Sequence, residues 1–205
     1  MKIFYVCSYG GCGSVILTKY LSNFGSSHHI HSRNPPDKLE YVGRYQSLFN
    51  GVAMPENEVN NYYVIYIYRD PVKAIYSRFE NREHLINIQC KNVNIKIEDV
   101  IKEKRDLYGI KEFYNNYTKD SKNRNYNIYC IKYEDMFDNM EELNELLDIN
   151  LDNKIKMRKK ESGADNQNAI LEEIYGGLKE EMKNNKFIEI KTPERNKNET
   201  QIFDI

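Results

Sequence analysis

Residues 2–21 read KIFYVCSYGGCGSVILTKYL, and the order of events in that stretch decides the fold. Lys2 to Cys7 is a short apolar run, the pattern of a strand buried on both faces. Gly10, Gly11 and Gly13 follow almost at once. From Ser14 to Phe24 the apolar residues recur at helical spacing, and Gly25 reads as the stop just past the helix. Strand, glycine turn and helix form the opening unit of a parallel α/β sheet. Glycines let the backbone approach an anion closely, and the first N–H groups of the helix point at it. Ser14 adds a hydroxyl at the helix mouth. A plain tight turn has the same composition, so this stretch alone leaves both readings standing.

The alternation continues down the chain. HHIHSR (28–33) is a candidate second strand, broken by Asn34-Pro35-Pro36-Asp37, and 37–49 reads as a helix leading into a loop near Pro55. YYVIYIY (62–68) is the strongest strand pattern, aromatic and β-branched throughout. Asp70-Pro71 supplies an N-cap and a proline at the first helical position, predicting a helix to about Asn81. Residues 95–120 read as mainly helical, 127–133 as a buried strand, 140–147 and 169–182 as helices, and 154–163 as a lysine-rich loop. A polar tail over about 185–205 carries one strand-like segment, FIEI. The pattern predicts one domain over 1–205: a three-layer α/β/α fold with a central, mainly parallel sheet.

Composition narrows the function. The 205 residues carry 30 Lys and Arg against 31 Asp and Glu, a formal charge of −1, with no basic signature for nucleic acid or acidic membrane. Cys7, Cys12, Cys90 and Cys130 show neither CxxC pairing nor zinc-like spacing, and reduced thiols in a cytoplasmic protein are expected. The apolar run at Ile3–Cys7 is too short for a signal peptide or a membrane span. No metal site is expected, because Glu134 and Asp135 read as capping and positioning groups.

In such sheets ligands bind at the carboxyl ends of strands. There the second strong strand ends in YIYRDPVKAIYSRF (66–79), with Arg69 at its tip and Ser77 eight residues on. A guanidinium fork with a hydroxyl suits a phosphate, whereas a surface ion pair and a solvated serine are the bland alternative. Tyr-x-x-Arg-Asp-Pro with that serine resembles the 3′-phosphate motif of sulfotransferases that use 3′-phosphoadenosine 5′-phosphosulfate (PAPS). The opening loop is similar to that family's 5′-phosphosulfate loop. IYCIKYEDMFDNMEELNELLDI (128–149) resembles its strand ending in Tyr-Glu-Asp with a following helix. The matches run in order over about residues 1–150.

The resemblance implies a P-loop-like sulfotransferase architecture. It also implies transfer of a sulfuryl group from PAPS to a hydroxyl or amine on a small-molecule or carbohydrate acceptor, releasing adenosine 3′,5′-bisphosphate without a metal. It assigns the donor's 3′-phosphate to Arg69 and Ser77. The phosphosulfate goes to the loop Gly10, Gly11, Cys12, Gly13, Ser14 and Val15, through backbone amides and the Ser14 hydroxyl. Arg158 and Lys159 match a basic segment that closes over the 3′-phosphate. The family uses His or Glu as general base. His29 and His31 share one strand face opposite His28, and His31, nearest the carboxyl end, is the expected base, with Glu40 in reserve.

One departure stands out. The family's loop carries Lys or Arg where this chain has Gly11. Removing such a cation costs orders of magnitude in rate, so a nucleotide-binding protein with little or no transfer is the alternative reading. Arg33, Arg44, Lys73 and Lys159 are candidate substitutes. A kinase or NTPase reading lacks its G-x-x-x-x-G-K-[ST] sequence.

Overall fold

The computed structural model describes residues 2–30, 32–35, 40–41, 52–53, 61–79, 95–119, 124, 126–149 and 169–193. Along the chain the elements are β1 (Lys2–Cys7), α1 (Ser14–Leu21), β2 (Gly25–Ile30), β3 (Glu40–Tyr41), β4 (Val52–Ala53), β5 (Tyr62–Tyr68) and α2 (Pro71–Phe79). Then come α3 (Ile97–Glu103), α4 (Ile110–Thr118), β6 (Ile128–Lys132), α5 (Tyr133–Met136), α6 (Met140–Leu146), α7 (Ala169–Asn184) and β7 (Ile188–Lys191).

Five strands form the central sheet in the order β2-β1-β5-β6-β7. The first four are mutually parallel and β7 runs antiparallel to β6. β1, β5 and β6 are internal, so they are mostly apolar; β1 and β5 are nearly fully buried, and β6 buries Ile128, Cys130 and Ile131. β2 (GSSHHI) lies at an edge, and its polar composition fits that position.

Strand alternation sends successive side chains to opposite faces. On one face Cys7 Sγ donates to Tyr117 Oη on α4 at 3.1 Å, and the Tyr66 and Tyr117 rings stack with centroids 4.6 Å apart. On the other face His29 reaches Ser14 at the start of α1. Helices therefore cover both faces of a mainly parallel sheet. The chain passes from β1 outward to β2, then returns to place β5 on the other side of β1. The strand order thus reverses between β1 and β5, and the crevice beyond their carboxyl ends is where such sheets bind ligands. The glycine loop leaves β1 there, and Arg69 leaves β5.

Three expectations are corrected. α1 stops at Leu21, and Gly25 opens β2 rather than only ending the helix. β2 therefore starts three residues early. Glu40 lies in a strand, paired opposite Ala53, not on a helix. The stretch 95–120 is mainly helical as expected, in two helices separated by a turn in which Gly109 has φ +65°. Asp106 accepts from the amides of Ile110 and Lys111 and restarts the second helix. The expected 154–163 loop lies outside the described residues. Among the described residues no helix is long and apolar enough to cross a membrane.

Candidate functional site

The loop between β1 and α1 is shaped by its glycines. Gly10, Gly11 and Gly13 have φ of +100°, +70° and +80°, left-handed values that L side chains rarely adopt. Each also lies against a neighbour. A Cβ on Gly11 would sit 2.3 Å from the Ala74 carbonyl of α2, and one on Gly10 would coincide with the Arg78 guanidinium. A Cβ on Gly13 would strike the Tyr133 ring. Position 11 therefore has no room for a side chain, because α2 approaches the loop backbone so closely.

Most of the loop amides find no acceptor among the described residues. Gly10 N–H donates to Ser8 Oγ at 3.2 Å. No acceptor among the described residues takes the amides of Gly11, Cys12, Gly13, Ser14 or Val15. These groups lie at the start of α1, where unsatisfied N–H groups and the helix dipole favour an anion. Val15 is half exposed beside them. Cys12 is fully buried, and its Sγ donates to the Gly10 carbonyl. Burial pushes its thiol up to about 12, which makes it a structural thiol.

Two guanidinium groups flank the loop. Arg69 is 8% exposed; one nitrogen donates to the Gly11 carbonyl at 3.3 Å, and its carbon lies 4.9 Å from the Tyr133 ring centroid. Its Nε is buried with no hydrogen-bond partner, and it makes no ion pair among the described residues. A buried charge in this state has capacity for an anion. Arg78 is 6% exposed and donates to the Tyr9 carbonyl. Sequence reasoning missed Arg78, although Pro71, Ala74, Ile75 and Arg78 are spaced as one helix face, and all four are buried.

The Tyr-Glu-Asp segment joins these parts. Tyr133 packs on Gly13 and under Arg69. Glu134 Oε1 accepts the Asp70 amide at 2.9 Å and so ties the ends of β5 and β6 together. Asp135 pairs with Lys132 at 2.6 Å. Asp70 caps α2, its Oδ1 accepting from the amides of Val72 and Lys73. Tyr5, Tyr66 and Tyr68 are core residues, and the Tyr9 hydroxyl donates to the Arg69 carbonyl.

Ser14 is 3% exposed and central. The Ser8 hydroxyl donates to Ser14 Oγ at 2.9 Å, and Ser14 Oγ lies 2.8 Å from His29 Nε2. A chain thus runs from the Gly10 amide through Ser8 and Ser14 to the imidazole of an exposed histidine. Partial desolvation of the ring against the loop, and then the Arg78 charge, hold His29 below its ordinary value of 6.5.

The remaining expected residues are dispersed. Ser77 is exposed on α2, and no hydrogen bond among the described residues joins it to Arg69. His31, Arg44, Arg158 and Lys159 lie outside the described residues, and of Glu40 only the backbone is described. Lys73 is exposed. Arg33 is committed elsewhere, to the Tyr108 and Gly109 carbonyls and to Glu112. Among the described residues no group of three or more His, Cys, Asp or Glu is gathered as a metal site. Compared with known protein families, curated proteins and solved structures, the chain finds no match.

Proposed function

We propose that the chain is a sulfotransferase of P-loop-like architecture that uses PAPS as donor and a small-molecule or carbohydrate hydroxyl or amine as acceptor. One observation carries this reading: the buried Arg69 guanidinium, its Nε without a partner, stands beside loop amides that have no protein acceptor. In this reading the amides from Gly11 to Val15 and the Ser14 hydroxyl hold the phosphosulfate end of the donor. Arg69 and Ser77 hold its 3′-phosphate. The Arg69–Gly11 bond is long and ends on a neutral carbonyl, so a phosphate oxygen outcompetes it; charge-assisted bonds are roughly twice as strong.

His29 takes the role of base, because its Nε2 already reaches the Ser14 hydroxyl at the loop mouth. It accepts the proton of the acceptor O–H or N–H as that oxygen or nitrogen attacks sulfur. The bond from sulfur to the bridging phosphate oxygen breaks, and that oxygen keeps the electron pair in the departing adenosine 3′,5′-bisphosphate.

Gly11 favours a second reading, a nucleotide binder that transfers slowly, since positions 10, 11 and 13 leave no room for a cationic side chain. Transfer of labelled sulfate from PAPS to an acceptor panel, with His29→Gln alongside, separates the two. Transfer lost in His29→Gln with donor binding retained supports the sulfotransferase. Donor binding with no transfer to any acceptor supports the binder.

A further inference from the structure

We propose that Arg78 supplies the positive charge of the glycine loop, from beneath and across the chain, and that the loop consequently takes a polyanionic phosphate group rather than a singly charged one. The inference rests on the PAPS reading only for the name of the ligand. Its basis is the mutual fit of α2 and the loop. Position 11 excludes a side chain because the Ala74 carbonyl occupies the space, and position 10 excludes one because the Arg78 guanidinium does. One helix face, through Ala74 and Arg78, thus both removes side chains from the loop and delivers a cation to it.

The Arg78 head group is held in place by its bond to the Tyr9 carbonyl at the start of the loop. Its burial keeps the charge from being screened by solvent. The charge is felt on both sides of the loop, at Cys12 within it and at His29 on β2. Arg69, on the Gly11 carbonyl, brackets the other side. Of the candidate cations among the described residues, Lys73 is exposed, and Arg33 is bound to α4 and the turn before it. Among the described residues Glu134 is a nearby carboxylate, and its Oε1 accepts the Asp70 amide. Arg78 acts through the loop backbone, so it is a positioning residue.

The test titrates the whole chain calorimetrically with inorganic pyrophosphate and, separately, with adenosine 3′,5′-bisphosphate and ADP. Wild type, Arg78→Lys and Arg78→Met are compared, and the His29 ring is followed by NMR across pH. Wild type is expected to bind pyrophosphate, Arg78→Met to bind it at least about tenfold more weakly, and Arg78→Lys to stay within about threefold. The His29 midpoint should rise in Arg78→Met and stay in place in Arg78→Lys, a response that loss of packing alone would not produce. If Arg78→Met does not fold, Arg78→Lys decides: retained affinity supports the inference, and a tenfold loss overturns it. Wild type that ignores pyrophosphate, or Arg78→Met that binds it as tightly as wild type, also overturns it. Pyrophosphate binding that depends on Arg78, with adenosine 3′,5′-bisphosphate no tighter than ADP, leaves the inference standing and removes the PAPS reading.

Discussion

Ser14 Oγ and His29 Nε2 lie 2.8 Å apart, joining the first turn of α1 to edge strand β2. The contact places an exposed imidazole at the mouth of the loop. It also makes a pH prediction. The folded state holds His29 below its ordinary value of 6.5, through burial and then Arg78, and burial does the same to His28. The folded state therefore binds fewer protons than the unfolded one as acidity rises. Their contribution to stability is full above the unfolded value and declines as pH falls through it. Thermal unfolding midpoints should drop between about pH 7 and 5, and the slope should be shallower in the His28→Gln/His29→Gln double variant. Equal slopes would show that neither ring is held neutral by the fold.

Gly11 and Gly177 should respond oppositely to alanine. At Gly11 the left-handed φ and the Ala74 carbonyl both oppose a Cβ, and Gly11→Ala should lose about 1–3 kcal/mol in urea unfolding. Gly11→Lys should be no better, and should not raise sulfate transfer. Gly177 is exposed inside α7, with open space where a Cβ would sit. Gly177→Ala should gain about 0.5–1 kcal/mol from helix propensity. A Gly11→Ala protein as stable as wild type would mean that the loop does not close on α2 in this way.

Cys12 provides a chemical check on the loop. Its thiol is fully buried and pushed up to about 12, so it should resist iodoacetamide at pH 8 in the native state and react on denaturation. Mass mapping of the labelled peptide reads this directly. Prompt native-state labelling of Cys12 would contradict the described loop.

Much of this fold was legible because the internal strands are unambiguous. β1, β5 and β6 are internal and read as mostly apolar runs, and Asp70-Pro71 marks the start of α2 without competition. Edge strand β2 was harder. GSSHHI has no apolar run to fix its ends, so the sequence places the start of the strand three residues late. The expected alternation of His28 and His29 is nevertheless observed, since His28 stacks on Tyr5 while His29 turns to Ser14. Arg78 was passed over because a charged residue late in a helix is usually solvated. Its burial depends on the loop lying over that face, which is a tertiary fact, although the 71/74/75/78 spacing pointed to it. Glu40 read as helical from local pattern, and its pairing with β4 is a contact that no local pattern carries.

In the proposed function, the glycine loop and Arg69 together bind a nucleotide carrying a 3′-phosphate. Thermal unfolding with adenosine 3′,5′-bisphosphate, ADP and ATP–magnesium, in wild type and Arg69→Ala, tests it most directly. A ligand at 100 times its dissociation constant adds about 2.7 kcal/mol, a clearly visible shift. The 3′-phosphorylated nucleotide should stabilise wild type most, and Arg69→Ala should lose most of that difference. Equal or greater stabilisation by ATP–magnesium, or a preference unchanged in Arg69→Ala, would contradict it.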